Sequence, residues 1–169
     1  SFKNPISGKY FTENFIPEFL INDLTDYTII ALTLDGEDYE IGDPITEEGK
    51  HVLYIEVKDK AENIESLSVE FILDKTEPKF IVDGIEDGKV YSEAVAATIR
   101  LENPMDKITG VSVNGEASIG EVSEEFGQQV IKLNFTDIND YSINLKAVDD
   151  AGNETDETIN IRIIDSSII

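Results

Sequence analysis

The sequence contains no cysteine and no tryptophan, and it has one methionine and one histidine among its 169 residues. Without cysteine, the chain has no disulfide, no thiolate nucleophile and no cysteine-ligated zinc site. No apolar run approaches the ~20 residues that a transmembrane helix requires, so no segment is predicted to span a bilayer. The first residues also lack a charged stretch followed by an apolar one, and we interpret them as mature or internal sequence.

Basic residues are scarce as well, because 13 lysines and arginines stand against 36 aspartates and glutamates, giving a formal net charge of −23. The charge is spread evenly, with −12 over residues 1–78 and −11 over residues 79–169. Such a surface repels phosphate, which excludes nucleic acid as a predicted partner, and it disfavours an anionic membrane surface. Hydrophobic residues make up 40%, which is typical of a folded soluble protein.

Four blocks of sequence recur in the same order, which indicates an internal repeat. Residues 8–15 read Gly-Lys-Tyr-Phe-Thr-Glu-Asn-Phe, and residues 88–95 read Gly-Lys-Val-Tyr-Ser-Glu-Ala-Val, at an offset of 80. The other matching pairs are residues 31–36 with 110–115, 59–63 with 149–153, and 69–74 with 160–165. The chain is therefore predicted to contain two copies of one module.

The domain boundaries follow from the spacing of these blocks. The offset rises from 79 at the second block to 90 at the third, which places eleven additional residues in copy two. We predict a first domain over residues 1–74 with a truncated first strand, a linker over residues 75–78, and a second domain over residues 79–169 with an insertion around residues 116–139. The linker is short and contains Pro78, so we expect it to be stiff and the domains to follow end to end.

The hydrophobic pattern inside each copy has a period of two, which is typical of half-buried β-strands. Residues 131–135 and 141–147 alternate apolar and polar side chains. The dipeptides Asp-Gly at 35–36 and Asn-Gly at 114–115 fall between predicted strands, where a tight hairpin needs positive φ angles. We count about seven short strands per copy and find no helical pattern of useful length. The predicted fold is all-β, with two tandem immunoglobulin-like β-sandwich domains of about seven strands each.

The same residues resemble the bacterial Ig-like repeats that occur in tandem in large surface proteins and in accessory regions of secreted glycan-degrading enzymes. The resemblance covers nearly the whole chain. Its residues in copy one are 32–36, Tyr39, Gly42, Ile45, Gly49, Leu53, Ile55, Val57, 59–63 and 74–78, and in copy two 114–115, Tyr141, Leu145 and 149–153. The resemblance implies a sandwich fold and an extracellular bacterial setting, and it implies no particular activity.

Two features depart from the family pattern. Glu62 stands where the family has the glycine of an Ala-Gly-Asn turn, so we expect that turn to be reshaped in copy one. The insertion in copy two is not typical of the family, and we expect any specific function to reside there.

His51 is the only histidine, so any catalytic triad would have to use it. It begins a predicted strand and aligns with Tyr141 of copy two. A residue that is interchangeable with tyrosine in a repeat serves packing or the surface more often than catalysis. We therefore predict no catalytic residue and no enzymatic activity.

Adjacent carboxylates are frequent, and a glycosidase needs two carboxyl groups across a cleft. The pairs are Glu47-Glu48, Glu124-Glu125, Asp149-Asp150 and Asp156-Glu157. All of them fall in polar turns, where both members stay ionised and hydrated, so we interpret them as solvated surface.

Two acidic segments are candidates for calcium. Residues 137–140 (Asp-Ile-Asn-Asp) resemble the Asp-x-Asn-Asp linker motif of cadherins, but they lie inside a module. The second segment contains Asp149, Asp150, Asn153 and Asp156. Neither has the spaced aspartates and closing glutamate of a calcium loop, and such side chains often cap the backbone of their own turn. We predict no metal and no cofactor.

Two further candidates concern crosslinking and recognition. Lys89 and Asn160 have the residue types of a Lys–Asn isopeptide bond, but both fall on polar-facing positions where an acid would not be desolvated. Phe126 is the one aromatic that does not fit a core-facing pattern. It either anchors a partner or folds back onto its own module.

The function predicted from these features is a non-catalytic structural spacer or adhesion segment of a bacterial cell-surface or secreted protein. The alternative is a carbohydrate- or protein-binding accessory module of a secreted glycan-degrading enzyme. The expected partners are an extracellular protein or glycan and neighbouring Ig-like modules of a longer chain. We expect no nucleic acid, no membrane insertion and a monomeric segment, located outside the cell.

Overall fold

The computed structural model describes residues 2–4, 7–19, 27–118 and 120–168. Two compact units make up the chain, residues 1–76 (unit 1) and 77–169 (unit 2), and the boundary between them falls within the segment predicted as a linker. Over the described ranges the chain forms sixteen strands and one three-residue 3-10 helix, Ser166–Ile168. The predicted all-β class is confirmed. None of the described residues belongs to a helix that is long and apolar enough to cross a membrane.

Unit 2 contains nine strands in two sheets. They are β8 (Phe80–Asp83), β9 (Val90–Tyr91), β10 (Val95–Leu101), β11 (Lys107–Val113), β12 (Glu116–Ala117), β13 (Glu121–Glu125), β14 (Gln128–Phe135), β15 (Asn139–Val148) and β16 (Glu154–Ile163). One sheet has the order β13-β14-β10-β8, and the other has the order β12-β11-β15-β16-β9. This distribution of strands in chain order is that of an immunoglobulin-type sandwich.

The core of unit 2 lies between its two sheets. Alternate side chains of the long strands point into it, as the period-two pattern predicts. Its fully or nearly fully buried members include Ala97, Ile99, Leu101, Ile131, Leu133, Phe135, Ile143, Leu145, Ala147, Ile159, Ile161 and Ile163. Burial of these alternating side chains fixes the register, because a shift of one residue would turn every one of them to the solvent.

Unit 1 has seven described strands. They are β1 (Phe2–Asn4), β2 (Lys9–Phe11), β3 (Glu18–Phe19), β4 (Tyr27–Leu34), β5 (Glu37–Asp38), β6 (Gly49–Asp59) and β7 (Ile64–Leu73). The main sheet has the order β2-β7-β6-β4-β5, and β1 pairs with β3 in a separate layer. Phe15 and Phe19, from the chain around β3, pack against the buried core that contains Phe71, so this layer covers the main sheet.

The two units share the same hydrogen bonds at corresponding positions. Equivalent pairs include Gly8 N to Glu70 O (2.7 Å) and Gly88 N to Asn160 O (2.7 Å), and Asp59 N to Asn63 O (3.0 Å) and Asp149 N to Asn153 O (3.1 Å). In unit 1, β2 runs parallel to β7, just as β9 runs parallel to β16 in unit 2. The repeat in sequence is thus a repeat in structure.

The segment predicted as an insertion, residues 116–139, is part of the sandwich. It supplies β13 and β14, two of the four strands of one sheet. Among its described residues, unit 1 has no such hairpin, and a single bridge between Phe15 and Ile45 stands where Val95 pairs with Phe135 in unit 2. A comparison of the two copies alone does not distinguish an insertion in one from a deletion in the other, so the description of residues 116–139 as an insertion stays a prediction.

The expected reshaping of the turn at Glu62 is not observed. Glu62 has a φ of 71° and Gly152, its counterpart, a φ of 96°. The backbone bond that Glu62 N donates to Asp59 O (3.1 Å) matches the bond from Gly152 N to Asp149 O (3.2 Å). The glutamate therefore adopts the left-handed conformation that the glycine adopts at lower cost.

Candidate functional site

The turn between β13 and β14 consists of two residues, Phe126 and Gly127. Their φ angles are 54° and 77°, which are those of a type I′ hairpin turn. The corresponding dipeptides elsewhere in the chain are Asp35-Gly36 and Asn114-Gly115, with residue types that suit positive φ. A left-handed conformation costs an ordinary residue about 1–2 kcal/mol, so phenylalanine is a costly choice at this position.

The side chain of Phe126 is completely exposed. Its relative accessibility is 106%, the highest among the exposed large hydrophobic residues described. Of the two alternatives that the sequence left open, the one in which this aromatic folds back onto its own module is therefore wrong. Phe126 combines an unfavourable backbone conformation with an apolar surface that the unit leaves in water, and such a combination marks functional sites more often than structural ones.

A groove lies beside this turn, between the β10–β11 loop and the β13–β14 hairpin. We call it the edge groove; its volume is about 530 Å³, and its lining residues are Pro104, Met105, Asp106, Lys107, Val122, Ser123, Glu124, Gly127 and Gln129. Met105 is 70% exposed and Val122 is 49% exposed. Two large apolar side chains are thus available to a ligand at its rim.

Ser123 lines the edge groove, but its hydroxyl does not reach the surface. Its hydroxyl oxygen is buried, and within the described part of the chain it has no hydrogen-bond partner. A buried polar atom without a partner is costly in a folded protein. The groove therefore has an apolar rim, and the unsatisfied hydroxyl of Ser123 lies below its surface.

Strand β13 is the outer strand of its sheet, and its backbone is unpaired on one side among the residues described. It pairs with β14 without a register shift, from Glu121 opposite Lys132 to Glu125 opposite Gln128. Glu125 and Gln128 flank the two-residue turn and hydrogen-bond to each other. In an antiparallel pair such hydrogen-bonded positions alternate with positions that are not hydrogen-bonded to the neighbouring strand. The N–H and C=O groups of Val122 and Glu124 consequently point away from β14.

Carboxylates surround this edge. Glu125 lies 3.9 Å from the Lys132 ammonium, and both side chains are about half exposed, so the pair is a weak surface contact. Asp106 and Glu124 line the groove itself, together with one cation, Lys107. The electrostatic character of the edge is acidic, like that of the chain as a whole.

His51 belongs to unit 1, where it is buried and only 5% exposed. Nδ1 contacts Asp35 Oδ2 at 2.6 Å, and Nε2 contacts the Glu47 carbonyl at 2.6 Å. Both partners only accept hydrogen bonds, so both ring nitrogens donate and the ring is the imidazolium. Burial lowers the pKa of His51, but the bonds and charges of Asp35 and Glu47 outweigh burial and raise the pKa above its usual value.

The acidic turns considered for calcium are engaged with their own backbone or with arginine. Asp149 accepts the Asn153 backbone N–H at 2.8 Å and its side-chain amide at 2.9 Å. Asp140 forms a two-point ion pair with Arg162, which lowers the pKa of the Asp140 carboxyl. Over the residues that the structure describes, no group of three or more histidine, aspartate or glutamate side chains is placed to hold a metal ion.

The remaining candidates lie at the surface. Lys89 and Asn160 line one open groove of about 440 Å³, where Lys89 Nζ lies 3.4 Å from Glu86 Oε2. Among the adjacent carboxylates, Glu48 accepts Lys75 N at 2.5 Å and Thr76 Oγ1 at 2.9 Å. The bond from Thr76 is the main reason why the pKa of Glu48 is lowered.

Sequence reasoning singled out Phe126 but missed the groove beside it. Met105 lies in a loop with no periodic pattern, and Val122 is one apolar residue in a glutamate-rich strand. The pairing of β14 with both β13 and β10 brings these residues to one edge. The Phe-Gly dipeptide between two alternating segments was the one available signal of the hairpin.

No protein-family model and no curated protein matches this chain. Among solved structures, it is similar to the fibronectin(III)-like modules of CbhA from Clostridium thermocellum, with 13% identity, coverage of 100% of this chain and 96% of that one, and a TM-score of 0.46. It is also similar to Bacteroides ovatus SGBP-B in complex with a mixed-linkage heptasaccharide (14% identity, 94% and 44% coverage, TM-score 0.33). A membrane anchored protein from Corynebacterium diphtheriae gives 13% identity, 98% and 53% coverage and a TM-score of 0.40. Because these TM-scores lie below 0.5, the fold assignment depends on the strand order described above.

Proposed function

We propose that this chain is a non-catalytic spacer or adhesion segment, located outside the cell in a bacterial surface or secreted protein. Its two units belong, in this proposal, to the tandem bacterial Ig-like domains that the sequence resembles. The acidic, cysteine-free composition suits a self-repelling extracellular segment. The observation that carries the proposal is the pairing of the terminal strands in each unit.

In each unit, a strand near the beginning runs parallel to the last strand. In unit 2, Arg162 N donates to Lys89 O at 3.1 Å and Ile164 N donates to Tyr91 O at 2.9 Å. Tension applied to the two ends of the unit pulls β9 and β16 along their axes in opposite directions. These hydrogen bonds are then loaded together rather than one after another, and a unit built in this way resists stretching.

Single-molecule stretching of the full chain tests this function. Ile164→Pro removes the N–H that bonds to Tyr91 O, and unit 1 serves as the internal reference. Ser118→Pro is the matched control, since it removes one backbone bond, from Ser118 N to Val111 O (2.9 Å), outside the parallel pair. We expect a lower unfolding force for unit 2 in Ile164→Pro than in Ser118→Pro, because forced unfolding follows the unfolding barrier. An equal decrease of the unfolding force in both variants would contradict the proposal that the parallel pair of β9 and β16 resists tension.

Binding of a carbohydrate or a protein by unit 2 is the second candidate function. The exposure of Phe126 on a strained turn favours it. A glycan array and a set of extracellular matrix proteins, probed with the native chain and with Phe126→Asn, test this function. Binding by the native chain that is lost in the variant supports the binding function. If the native chain binds none of the probes, the spacer function is the only one that remains.

A further inference from the structure

We propose that the free edge of β13, the edge groove and Phe126 form one docking surface for an extended, basic segment of a partner protein, which adds to the sheet as a further strand. This inference deepens the binding function proposed above and depends on it. The partner chemistry is argued from the backbone of β13, from the groove and from the charges around them.

The length of β13 sets it apart from the other outer strands described. It has five residues, whereas β8 has four, β1 and β2 have three each, and β3, β5, β9 and β12 have two each. Short outer strands, prolines, bulges and lysines are the usual protections against unwanted pairing. β13 contains no proline and no lysine, and its register is regular; its three glutamates oppose pairing with an acidic strand but not with a basic one. It presents the N–H and C=O groups of Val122 and Glu124 to an added strand, which is how many domains bind extended peptides.

The edge groove supplies pockets for the side chains of such a strand. Val122 and Met105 flank it, and an apolar side chain of the added strand next to Val122 would be buried between them. Phe126 extends beyond the end of β13 and is free to anchor the same ligand, as exposed aromatics commonly do in interfaces.

Charge identifies the partner as basic. Asp106, Glu124 and Glu125 lie at this edge, on a chain with a net charge of −23. Pairing of β13 with the β13 of a second copy would bring glutamates against glutamates, which is unfavourable across strands. The same glutamates attract lysine and arginine and exclude anionic glycans. A second copy of this chain is therefore a poor occupant, and a basic peptide is a good one.

The first experiment uses a (Lys-Val)4 peptide as the probe and a (Lys-Gly)4 peptide of equal charge as its control, with the full chain at physiological ionic strength. Amide NMR spectra report the binding site. We expect (Lys-Val)4 to perturb and protect the amides of Val122 and Glu124, and (Lys-Gly)4 to leave them unchanged. A uniform response to both peptides would show non-specific attraction to an acidic protein and would overturn the proposal.

Two variants locate the contact. Val122→Pro removes an outward N–H and leaves the bonds to β14 intact, and Phe126→Asn removes the aromatic ring while keeping the turn. We expect each variant to weaken (Lys-Val)4 binding at least tenfold. Unchanged affinity in both variants, or no binding by the native chain, overturns the peptide proposal. If a neutral glycan binds instead, and Phe126→Asn abolishes that binding, the proposed binding function stands and only the proposed class of partner is wrong. The stretching experiment tests the spacer function and does not depend on the outcome of the peptide or the glycan experiment.

Discussion

His51 in unit 1 occupies the position of Tyr141 in unit 2. Nε2 of the histidine contacts the carbonyl of Glu47 at 2.6 Å, and the tyrosine hydroxyl donates to the carbonyl of Asp137 at 2.9 Å. In each case the carbonyl belongs to the residue four positions earlier, so the side chain ties the start of a long strand to the chain that leads into it. This is the arrangement known in immunoglobulin-type sandwiches as a tyrosine corner. Unit 1 achieves it with a charged ring.

The charged ring gives unit 1 a dependence of stability on pH near the histidine pKa that the tyrosine does not give unit 2. The pKa of His51 in the folded state is raised above the value of ~6.5 expected for the unfolded chain. A raised pKa contributes stability that is fully present below the unfolded pKa and is lost as pH rises through the folded pKa. We expect the free energy of unfolding of unit 1 to fall as the pH rises from about 6.5 through the raised pKa of His51.

Hydrogen exchange of two equivalent amides measures this effect. Val52 N donates to Asp35 Oδ1 in unit 1, and Ser142 N donates to Asn114 Oδ1 in unit 2. After correction for the intrinsic rate, protection at Val52 should decline with pH while protection at Ser142 does not. His51→Tyr keeps the corner bond and has no group that titrates in this range, so its protection at Val52 should not change with pH. A decline that persists in the variant would assign the effect to another group.

Glu62 and Gly152 provide a reciprocal test of backbone strain. Both residues have positive φ, and their turns carry the same hydrogen bonds. Glu62→Gly should stabilise unit 1 by about 1 kcal/mol, because glycine adopts this conformation without strain. The change also removes an exposed ion pair with Lys58 (2.7 Å), which is worth little.

Gly152→Glu should destabilise unit 2 by a similar amount, about 1 kcal/mol. Urea denaturation, followed by NMR signals from each unit, measures both changes in one chain. If both substitutions stabilised their units, or both destabilised them, the energetic cost of a positive φ at this turn would not be the same in the two units.

The sequence predicts most of the repeated framework, because that framework is encoded locally. Alternating residues such as those at 131–135 give the strand register, and the dipeptides at 35–36 and 114–115 give the hairpin turns. The role of His51 was also partly accessible, since its alignment with Tyr141 indicated a structural position. Its charge state was not accessible, because that depends on Asp35 and on the Glu47 carbonyl, which only the fold brings to the ring.

The candidate site was predictable only in its single aromatic residue. Phe126 stands out in the sequence because it lacks an alternating context, but its complete exposure is a property of the turn. The edge groove joins a loop near residue 105 to a strand near residue 122, and no local pattern connects the two. Contacts between segments distant in sequence are decided by tertiary pairing, here the pairing of β14 with both β13 and β10.

Phe126→Asn should increase the stability of unit 2. Asparagine followed by glycine is a preferred pair for a type I′ turn, so the variant should gain about 1 kcal/mol in the free energy of unfolding. The completely exposed ring contributes no compensating burial that could be lost. Phe126→Leu is the matched control, because it retains an apolar residue with unfavourable φ and should leave stability nearly unchanged. Destabilisation by Phe126→Asn, measured by thermal and urea denaturation, would instead show that the ring supports the fold.

Gly120 positions β13, and its replacement should be severe. A Cβ at this position would lie 2.3 Å from the backbone oxygen of Lys132 and 2.7 Å from a methyl group of Leu133, on a residue with a φ of 51°. Gly120→Ala should therefore destabilise unit 2 by about 3 kcal/mol, through overpacking and backbone strain together.

Gly115→Ala is the control, since Gly115 also has positive φ (82°) but a Cβ at its position would meet only open space. The control isolates backbone strain and should cost about 1 kcal/mol. If the two alanine variants unfold at the same urea concentration, β13 can shift away from β14 without cost, and the close approach at Gly120 does not hold the hairpin in place.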